Sequence, residues 1–283
     1  LVTIELPSGK SITLEPLTRN GNRVAVGDFS PCLVLLNNDL SAGRPAILEN
    51  LEQEVVPPLR AGWSTRKKSD HFTQYSDVAR EFAEQIDIDP WLISPLTLQC
   101  GEVNFKDQSG MDCLASNITN LLASIKAKYD EYGIDREPFV VVKADSGTYG
   151  MGIMTVKSAE EVTQLNRKQR NKMSSAKEGL VVDNVLVQEG VYTFETLGEQ
   201  KAVAEPVVYM IDRYVVGGFY RVHTGRGVNE NLNAPGMHFE PLAFAQSCST
   251  PDEAESPDAE PNRFYAYGVI ARLALLAAAR EIV

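Results

Sequence analysis

Residues 140–156, VVVKADSGTYGMGIMTV, place a loop with three glycines between two apolar runs. The runs Phe139–Val142 and Ile153–Val156 are rich in β-branched or aromatic residues, which predicts strands rather than helices. Glycine allows the connecting backbone to adopt positive φ and to lie close to a ligand, and successive N–H groups in such a loop can surround an anion. Lys143, at the end of the first strand, adds a positive charge suited to phosphate. The segment therefore predicts two antiparallel strands joined by a loop that covers nucleotide phosphates.

A plain β-hairpin is the alternative, in which the glycines serve only the turn and Lys143 extends to solvent. The seven residues Asp145–Met151 are more than a tight turn needs, which favours the phosphate-binding interpretation. The segment is not a P-loop, because no Gly-Lys-Ser/Thr sequence ends it. Nor is it the dinucleotide-binding fingerprint, because no helix is predicted directly after Gly152.

The size and charge of the chain limit its partners. Its 283 residues are enough for roughly two domains, and 43% hydrophobic with 23% charged residues is typical of a soluble globular protein. The net charge of −11 argues against a nucleic-acid partner, because duplex binding needs a basic surface. We therefore expect small-molecule substrates and no nucleic acid.

The cysteines and the longest apolar segment indicate the compartment. The four cysteines, of which Cys248 is the last, contain no CxxC pair and are too sparse for a disulfide framework, so we expect a reducing cytoplasm. The segment at residues 267–283 is interrupted by Arg272 and Arg280 and is too short for a membrane span. It predicts a buried or docked helix and no membrane partner.

Further elements follow from hydrophobic periodicity. Apolar residues at helical spacing predict helices over residues 77–86 and within residues 111–134. Ser158 and Glu161 have the spacing of a capping box, which predicts one helix running on through LNRKQRNKM. Two apolar runs between residues 202 and 224, joined around Gly217 and Gly218, predict a β-hairpin.

Several long stretches together resemble the proteobacterial glutamate-cysteine ligase family of the ATP-grasp type. They are VVVKADSGTYGMGIMTV, LNRKQRNKM, VQEGVYTFE, AEPVVYMIDRYVVGGFYRVHTGRGVNENLNAPGMHF and VGDFSPCLVLLNNDLSAG. The resemblance implies an α/β (α+β) fold of the ATP-grasp type. It implies an N-terminal α/β substrate lobe over residues 1–110 and an ATP-grasp module over residues 111–283. In that module, residues 137–192 correspond to an antiparallel lid that carries the glycine loop.

The resemblance also implies roles for individual residues. Lys143 corresponds to the lysine that contacts the nucleotide phosphates, and Arg221 to an arginine that holds the reacting groups. The residues implied to bind ATP are Lys143, Ser146, Gly147, Thr148, Tyr149, Gly150, Met151, Gly152, Gln188, Glu189, Gly190 and Val191. The residues implied or proposed to bind the substrates are Arg221, Asn233, Arg66 and Lys67, although the last two also fit a solvated basic loop.

The metal ligands are an open question in the sequence. Enzymes of this superfamily usually carry magnesium ligands on strands that would follow residue 283. Either such strands are missing from this chain, or Mg²⁺ is held by oxygen ligands from Glu205, Asp212, Asn231 and Asn233, because one or two carboxylates together with ATP oxygens can suffice.

The function implied by the resemblance is that of an ATP-dependent ligase using Mg²⁺. Such an enzyme joins the γ-carboxylate of L-glutamate to the amine of L-cysteine through glutamyl phosphate, in the first step of glutathione biosynthesis. A ligase for another amino-acid acceptor and a non-catalytic ATP-binding regulatory module are the alternatives. The presence of Lys143, the glycine loop, Arg221 and both asparagines favours the ligase, because a regulatory module does not need groups on the acceptor side.

Overall fold

The computed structural model describes residues 1–147, 152–174, 182–241 and 263–282. The chain has a mixed α/β fold and divides into two compact units, Leu1–Arg66 and Lys67–Val283. The functional division at residue 110 stays a prediction. Within the described ranges, none of the helices combines the length and the apolarity that a membrane span requires.

The first unit is built from three small two-stranded sheets. Antiparallel pairs join β1 (Val2–Glu5) to β2 (Ser11–Leu14) and β3 (Thr18–Asn20) to β4 (Arg23–Ala25), and a parallel pair joins β5 (Leu33–Leu35) to β6 (Glu54–Val56). Two 3-10 helices, Ala46–Leu48 and Leu59–Ala61, complete it. The buried Gln53 side chain accepts from Val24 N at 2.6 Å and donates to Val24 O at 2.9 Å, which gives the backbone of β4 a partner that its short sheet lacks.

The second unit contains a four-stranded antiparallel sheet packed on a long helix. Its strands are β7 (Thr97–Cys100), β8 (Val140–Ala144), β9 (Ile153–Val156) and β10 (Val185–Glu189), in the order β7-β10-β8-β9. Alternate residues of these strands face α2 (Met111–Glu131) and form the main core, which includes Val140, Val142, Val185 and Val187. Because side chains alternate along a strand, the residues between them occupy the opposite face.

A second antiparallel sheet has the order β11-β12-β13-β14. These strands are β11 (Thr196–Leu197), β12 (Ala202–Ile211), β13 (Tyr214–His223) and β14 (His238–Pro241). Ala204, Tyr220 and Val222 form a small apolar cluster on one face. The helices predicted at residues 77–86, 111–134 and 267–283 are confirmed as parts of α1 (Lys68–Ile86), α2 and α5 (Arg263–Glu281), and α1 and α5 pack on each other. The hairpin predicted between residues 202 and 224 is confirmed, but its turn lies at Asp212 and Arg213, whereas Gly217 and Gly218 lie inside β13.

The single helix predicted from Ser158 is wrong. The structure has two short helices, α3 (Glu160–Thr163) and α4 (Arg167–Met173), separated where Leu165 turns into the core. The capping box belongs to α4, where Asn166 accepts from Gln169 N at 3.0 Å and Gln169 Oε1 accepts from Asn166 N at 2.9 Å. Glu161 instead accepts from Lys157 N at 2.9 Å, so its carboxylate does not reach the backbone of Ser158.

Gly190, directly after β10, packs against an aromatic ring. A Cβ built on Gly190 would lie 2.0 Å from Phe139 Cε2, while Gly190 N donates to Phe139 O at 2.8 Å. We expect Gly190→Ala to lower the free energy of unfolding by about 1–3 kcal/mol, because the ring is buried and cannot move without displacing the core. Urea unfolding measures this. Gly217→Ala in β13 is the matched control, because its Cβ would have no atom within 4 Å; an equal effect at both positions would contradict the packing argument.

Candidate active site

A cavity of about 260 Å³ in the second unit is lined by five of the twelve predicted nucleotide-binding residues, Lys143 and Gln188–Val191. Its walls come from β8, β9, the segment after β10, β12 and the loop after β13. The lining residues are Phe139, Val141, Lys143, Ile153, Thr155, Gln188, Glu189, Gly190, Val191, Thr193, Glu205, Val228, Asn229, Glu230 and Asn231. This cavity, termed the central cavity, brings together predicted residues that lie up to 88 positions apart, from Lys143 to Asn231.

Strand pairing explains why these side chains meet. In the antiparallel register, Lys143 lies opposite Leu186 and Ile153, and Val141 lies opposite Gln188. Residues directly opposite each other share a face of the sheet. The apolar core occupies the other face, so the sheet presents Lys143 and Gln188 to the central cavity.

Lys143 is a lysine in an unusually apolar place. Its ammonium donates to Gln188 Oε1 and lies 5.0 Å from the centroid of the Phe72 ring. The pKa of Lys143 is lowered from its usual 10.5 to about 8, mainly by burial and also by the charge of Lys68, while the charge of Asp145 opposes the shift. At neutral pH the side chain is therefore a desolvated cation, which attracts an anion more strongly than a solvated one.

The described ends of the glycine loop lie beside Lys143. Gly147 and Gly152 have φ of 81° and 62°, which are left-handed conformations that favour glycine. Ala144 N donates to Gly152 O at 3.0 Å, so the two ends are tied together. Ser146 belongs to the same described end, whereas four predicted residues lie outside the described part of the chain: Thr148, Tyr149, Gly150 and Met151.

Glu189 directs its carboxylate away from the strand face that carries Lys143. Its oxygens accept from Trp91 Nε1 at 3.0 Å and from Leu96 N at 2.9 Å. Burial raises the pKa of Glu189, while these hydrogen bonds oppose the shift. Glu189 thus connects the end of β10 to the segment around Trp91, a contact that nothing in the sequence indicated.

Glu205 and Arg221 form an ion pair across β12 and β13, where they lie directly opposite each other. Arg221 Nη1 donates to Glu205 Oε1. Arg221 Nε is buried and has no hydrogen-bond partner among the described residues. Because a buried donor without a partner is costly, this N–H is a candidate contact for a bound ligand.

Asn231 borders both the central cavity and a larger one beside it, whereas Asn233 borders only the larger one. The larger cavity has a volume of about 720 Å³ and shares Ile153, Thr155, Glu230 and Asn231 with the central cavity. Asn231 Oδ1 accepts from Asn233 N at 2.9 Å, which orders the loop. The two cavities therefore form neighbouring spaces that meet at Asn231.

The central cavity is not lined by the three remaining predicted residues, which are Asp212, Arg66 and Lys67. Asp212 sits in the β12–β13 turn, and seven residues of extended strand, roughly 23 Å, separate it from Glu205. Arg66 belongs to the first unit, where its guanidinium lies 4.8 Å from the centroid of Trp63. Lys67 directly precedes α1 and provides no side-chain cap for it. The described residues contain no group of three or more His, Cys, Asp and Glu side chains placed to hold a metal.

The sequence contained one signal that the predicted site left out. The stretch GWSTRKKSDHF holds a basic and aromatic cluster, of which Arg66 and Lys67 were assigned to substrate binding. The residues that in fact lie beside Lys143 and the glycine loop are the next ones, Lys68 and Phe72.

Comparisons with known proteins show the family of the chain. The profile of the family GshA, glutamate-cysteine ligase, matches residues 1–282. The chain belongs to the glutamate-cysteine ligase family. No curated protein matches it.

A solved structure is similar over nearly the whole chain. It is the crystal structure of a protein from Methylobacillus flagellatus KT that carries the provisional name gamma-glutamylcysteine synthetase. The two are 63% identical, with a TM-score of 0.87 and 99% of this chain covered. This chain spans 66% of the length of that protein.

The buried charge of Lys143 should lower the stability of the protein while it strengthens the binding of an anion. Lys143→Met should be more stable than the wild type at pH 7 by about 1–3 kcal/mol, because the methionine avoids the desolvation of a cation. The difference in stability between the variant and the wild type should shrink from about pH 8 towards 10.5. Over this range the folded wild type loses the proton of Lys143 while the unfolded chain keeps it, so the stability of the wild type rises.

Urea unfolding at pH 7, 8, 9 and 10 measures this difference in stability between the variant and the wild type. Lys126→Met is the control, because Lys126 is exposed and pairs with Asp130 on the same helix; it should change stability by less than about 0.5 kcal/mol. A Lys143→Met variant that is less stable than the wild type at pH 7 would show that the lysine supports the fold.

Proposed function

We propose that this chain provides the active site of an ATP-dependent ligase with the ATP-grasp fold. It joins the γ-carboxylate of L-glutamate to the amine of L-cysteine through glutamyl phosphate and releases ADP and phosphate, in the first step of glutathione biosynthesis. The supporting observation is the convergence of Lys143, Gln188, Glu205 and Asn231 on one cavity in a member of the glutamate-cysteine ligase family. We expect the enzyme to act in the cytoplasm on small molecules.

The reaction explains why positive charge is needed there. A carboxylate is a poor electrophile, so it must first be phosphorylated; the amine then attacks the acyl phosphate and expels phosphate through a tetrahedral oxyanion. Negative charge develops in both steps, and fixed cations and N–H groups stabilise it where it forms. Lys143 and Arg221 are the cations that we assign to this role.

The adenine end of the nucleotide fits the segment after β10. Gln188–Val191 border the cavity beside the apolar side chains of Phe139 and Val141. Apolar walls with a few backbone polar groups are typical of nucleobase pockets. Glu189 contributes to this pocket by holding the strand end in place, since its carboxylate is already bonded to Trp91 and Leu96.

The phosphate end fits Lys143 and the glycine loop, whose residues Ser146–Gly152 we propose to cover the phosphates. Glu205 and Asn231 line the same cavity, and Asn233 lies beside Asn231 in the neighbouring one, so we propose that these residues would hold Mg²⁺ when it is bound. The ion would neutralise charge on the phosphates. Because Asp212 lies at the far end of the hairpin, we leave it out of this site.

Arg221 is suited to hold the reacting groups of the substrates. Its planar guanidinium can bind a carboxylate or phosphate through two donors; Glu205 accepts from one nitrogen, and Nε has no partner within the described ranges. We propose that Asn233 assists on the acceptor side. Roles for Arg66 and Lys67 in binding glutamate stay a prediction.

Two assays test the proposal. ADP release should require both glutamate and an amino-acid acceptor, with cysteine the best of a panel that includes serine and 2-aminobutyrate. Glutamate and ATP alone should scramble isotope between the bridging and non-bridging positions of the β,γ-phosphates, because reversible phosphoryl transfer frees the ADP end to rotate. A regulatory ATP-binding module would show neither, and a ligase for a different acceptor would show the exchange but prefer another amino acid.

Arg221→Gln should slow this isotope exchange roughly a hundredfold, the usual cost of removing one contact to the developing charge. Arg213→Gln is the control on the same hairpin, because Arg213 is exposed and its side chain donates to the neighbouring Tyr214. Exchange at the wild-type rate in a folded Arg221→Gln variant that makes no dipeptide would move Arg221 to the acceptor step.

A further inference from the structure

The first turn of α1 holds the start of the glycine loop, termed here the loop root and defined as residues 144–147. The ammonium of Lys68 lies within hydrogen-bonding distance of four consecutive backbone carbonyls of the loop root, so at least one of its three N–H groups is shared between two of them. Its distances are 2.8 Å to the oxygen of Ala144, 3.3 Å to Asp145, 3.2 Å to Ser146 and 2.8 Å to Gly147. A lysine that contacts four successive carbonyls fixes the orientation of every peptide between them.

Asp145 completes the connection from the other side. Its backbone carbonyl accepts from Lys68 N at 2.9 Å, and its carboxylate accepts from Ser69 N and Ser69 Oγ, each at 2.8 Å. Because Lys67 provides no side-chain cap, this carboxylate supplies the N-cap of α1 from a distant part of the chain. The loop root and the helix therefore stabilise each other.

The carbonyl contacts determine where the N–H groups of the loop root point. In a trans peptide, the carbonyl of one residue and the N–H of the next point in opposite directions. Carbonyls of Asp145 and Ser146 that face Lys68 therefore turn the N–H groups of Ser146 and Gly147 away from it. These two N–H groups donate to no other group within the described ranges, whereas Asp145 N donates to Asn184 O at 3.0 Å.

We infer that Lys68 is a positioning residue, which holds the carbonyl side of the loop root and thereby presents the N–H groups of Ser146 and Gly147 to the phosphates of the nucleotide. This inference rests on the proposed function for the identity of the ligand. Backbone N–H groups that point to one side form an anion site. Here the ammonium of Lys68 orders these groups and adds positive potential to the site. Lys68 itself is not a catalytic residue, because its ammonium is occupied by the carbonyls.

The test compares a ligand with phosphates to the same ligand without them. Lys68→Met removes the ammonium and nearly preserves the side-chain volume. It should weaken ATP binding roughly ten- to hundredfold, the size of a lost charged hydrogen bond, while the inhibition constant of adenosine, measured by competition with ATP, stays within about twofold of the wild type. Equal losses for ATP and adenosine, or no loss for ATP, would overturn the inference.

Lys126→Met is the matched control, because it removes an exposed lysine that pairs with Asp130 on α2; it should leave both constants unchanged. A measurement on the wild type covers the case in which Lys68→Met does not fold. The amides of Ser146 and Gly147 should exchange rapidly without ATP and become protected with it. Equal exchange in the two states would overturn the inference.

These measurements need ATP but neither glutamate nor cysteine. A protein that shows the contrast between ATP and adenosine but no ligase activity would disprove the proposed function and leave the role of Lys68 intact. A protein that is an active ligase but lacks the contrast would disprove the role of Lys68 alone.

Discussion

The packing of the β7-β10-β8-β9 sheet on α2 is the interaction on which the site depends. Valines at alternate positions of β8 and β10 are buried against the helix, and burying such side chains contributes about 1.5–3 kcal/mol each. A shift of β8 by one residue would turn its valines away from the helix and bury Lys143 in the core, and the same shift of β10 would bury Gln188. Burial of the valines therefore determines that Lys143 faces the central cavity, although Lys143 itself contributes nothing favourable to the core.

The second sheet follows the same logic. One face of β12 and β13 carries the apolar cluster around Tyr220 and Val222, so Glu205 and Arg221 occupy the other face, directly opposite each other. Each sheet thus uses one face for stability and the other for polar side chains. The central cavity is lined from both sheets, which explains how side chains distant in sequence meet without a dedicated motif.

The site also concentrates positive charge at a cost. Lys143 and Lys68 have similar surroundings. Burial lowers the pKa of both lysines, and the charge of Asp145 opposes the shift in each. Asp145 is almost completely buried and is held by Ser69 and, at 3.3 Å, by Gln99. One buried carboxylate therefore offsets part of the repulsion between two lysines and also caps a helix, which makes it a structural centre of the loop root.

The sequence by itself determined most of the local elements and predicted a phosphate-binding role for the loop. β-Branched runs predicted β8 and β9, periodicity predicted α2 and the second half of α1, and the long apolar segment predicted α5. The glycines with Lys143 indicated phosphate. Strand alternation, helical spacing and positive φ can be predicted in this way because they are properties of neighbouring residues. The capping box was misplaced from Asn166 to Ser158, because a three-residue spacing does not say which acceptor reaches the backbone. Only the tertiary structure decided that Glu189 turns to Trp91, that Asp212 lies far from Glu205, and that Lys68 holds the loop root. Each of these depends on contacts between segments distant in the chain, which are fixed by the packing of the whole unit and leave no local pattern.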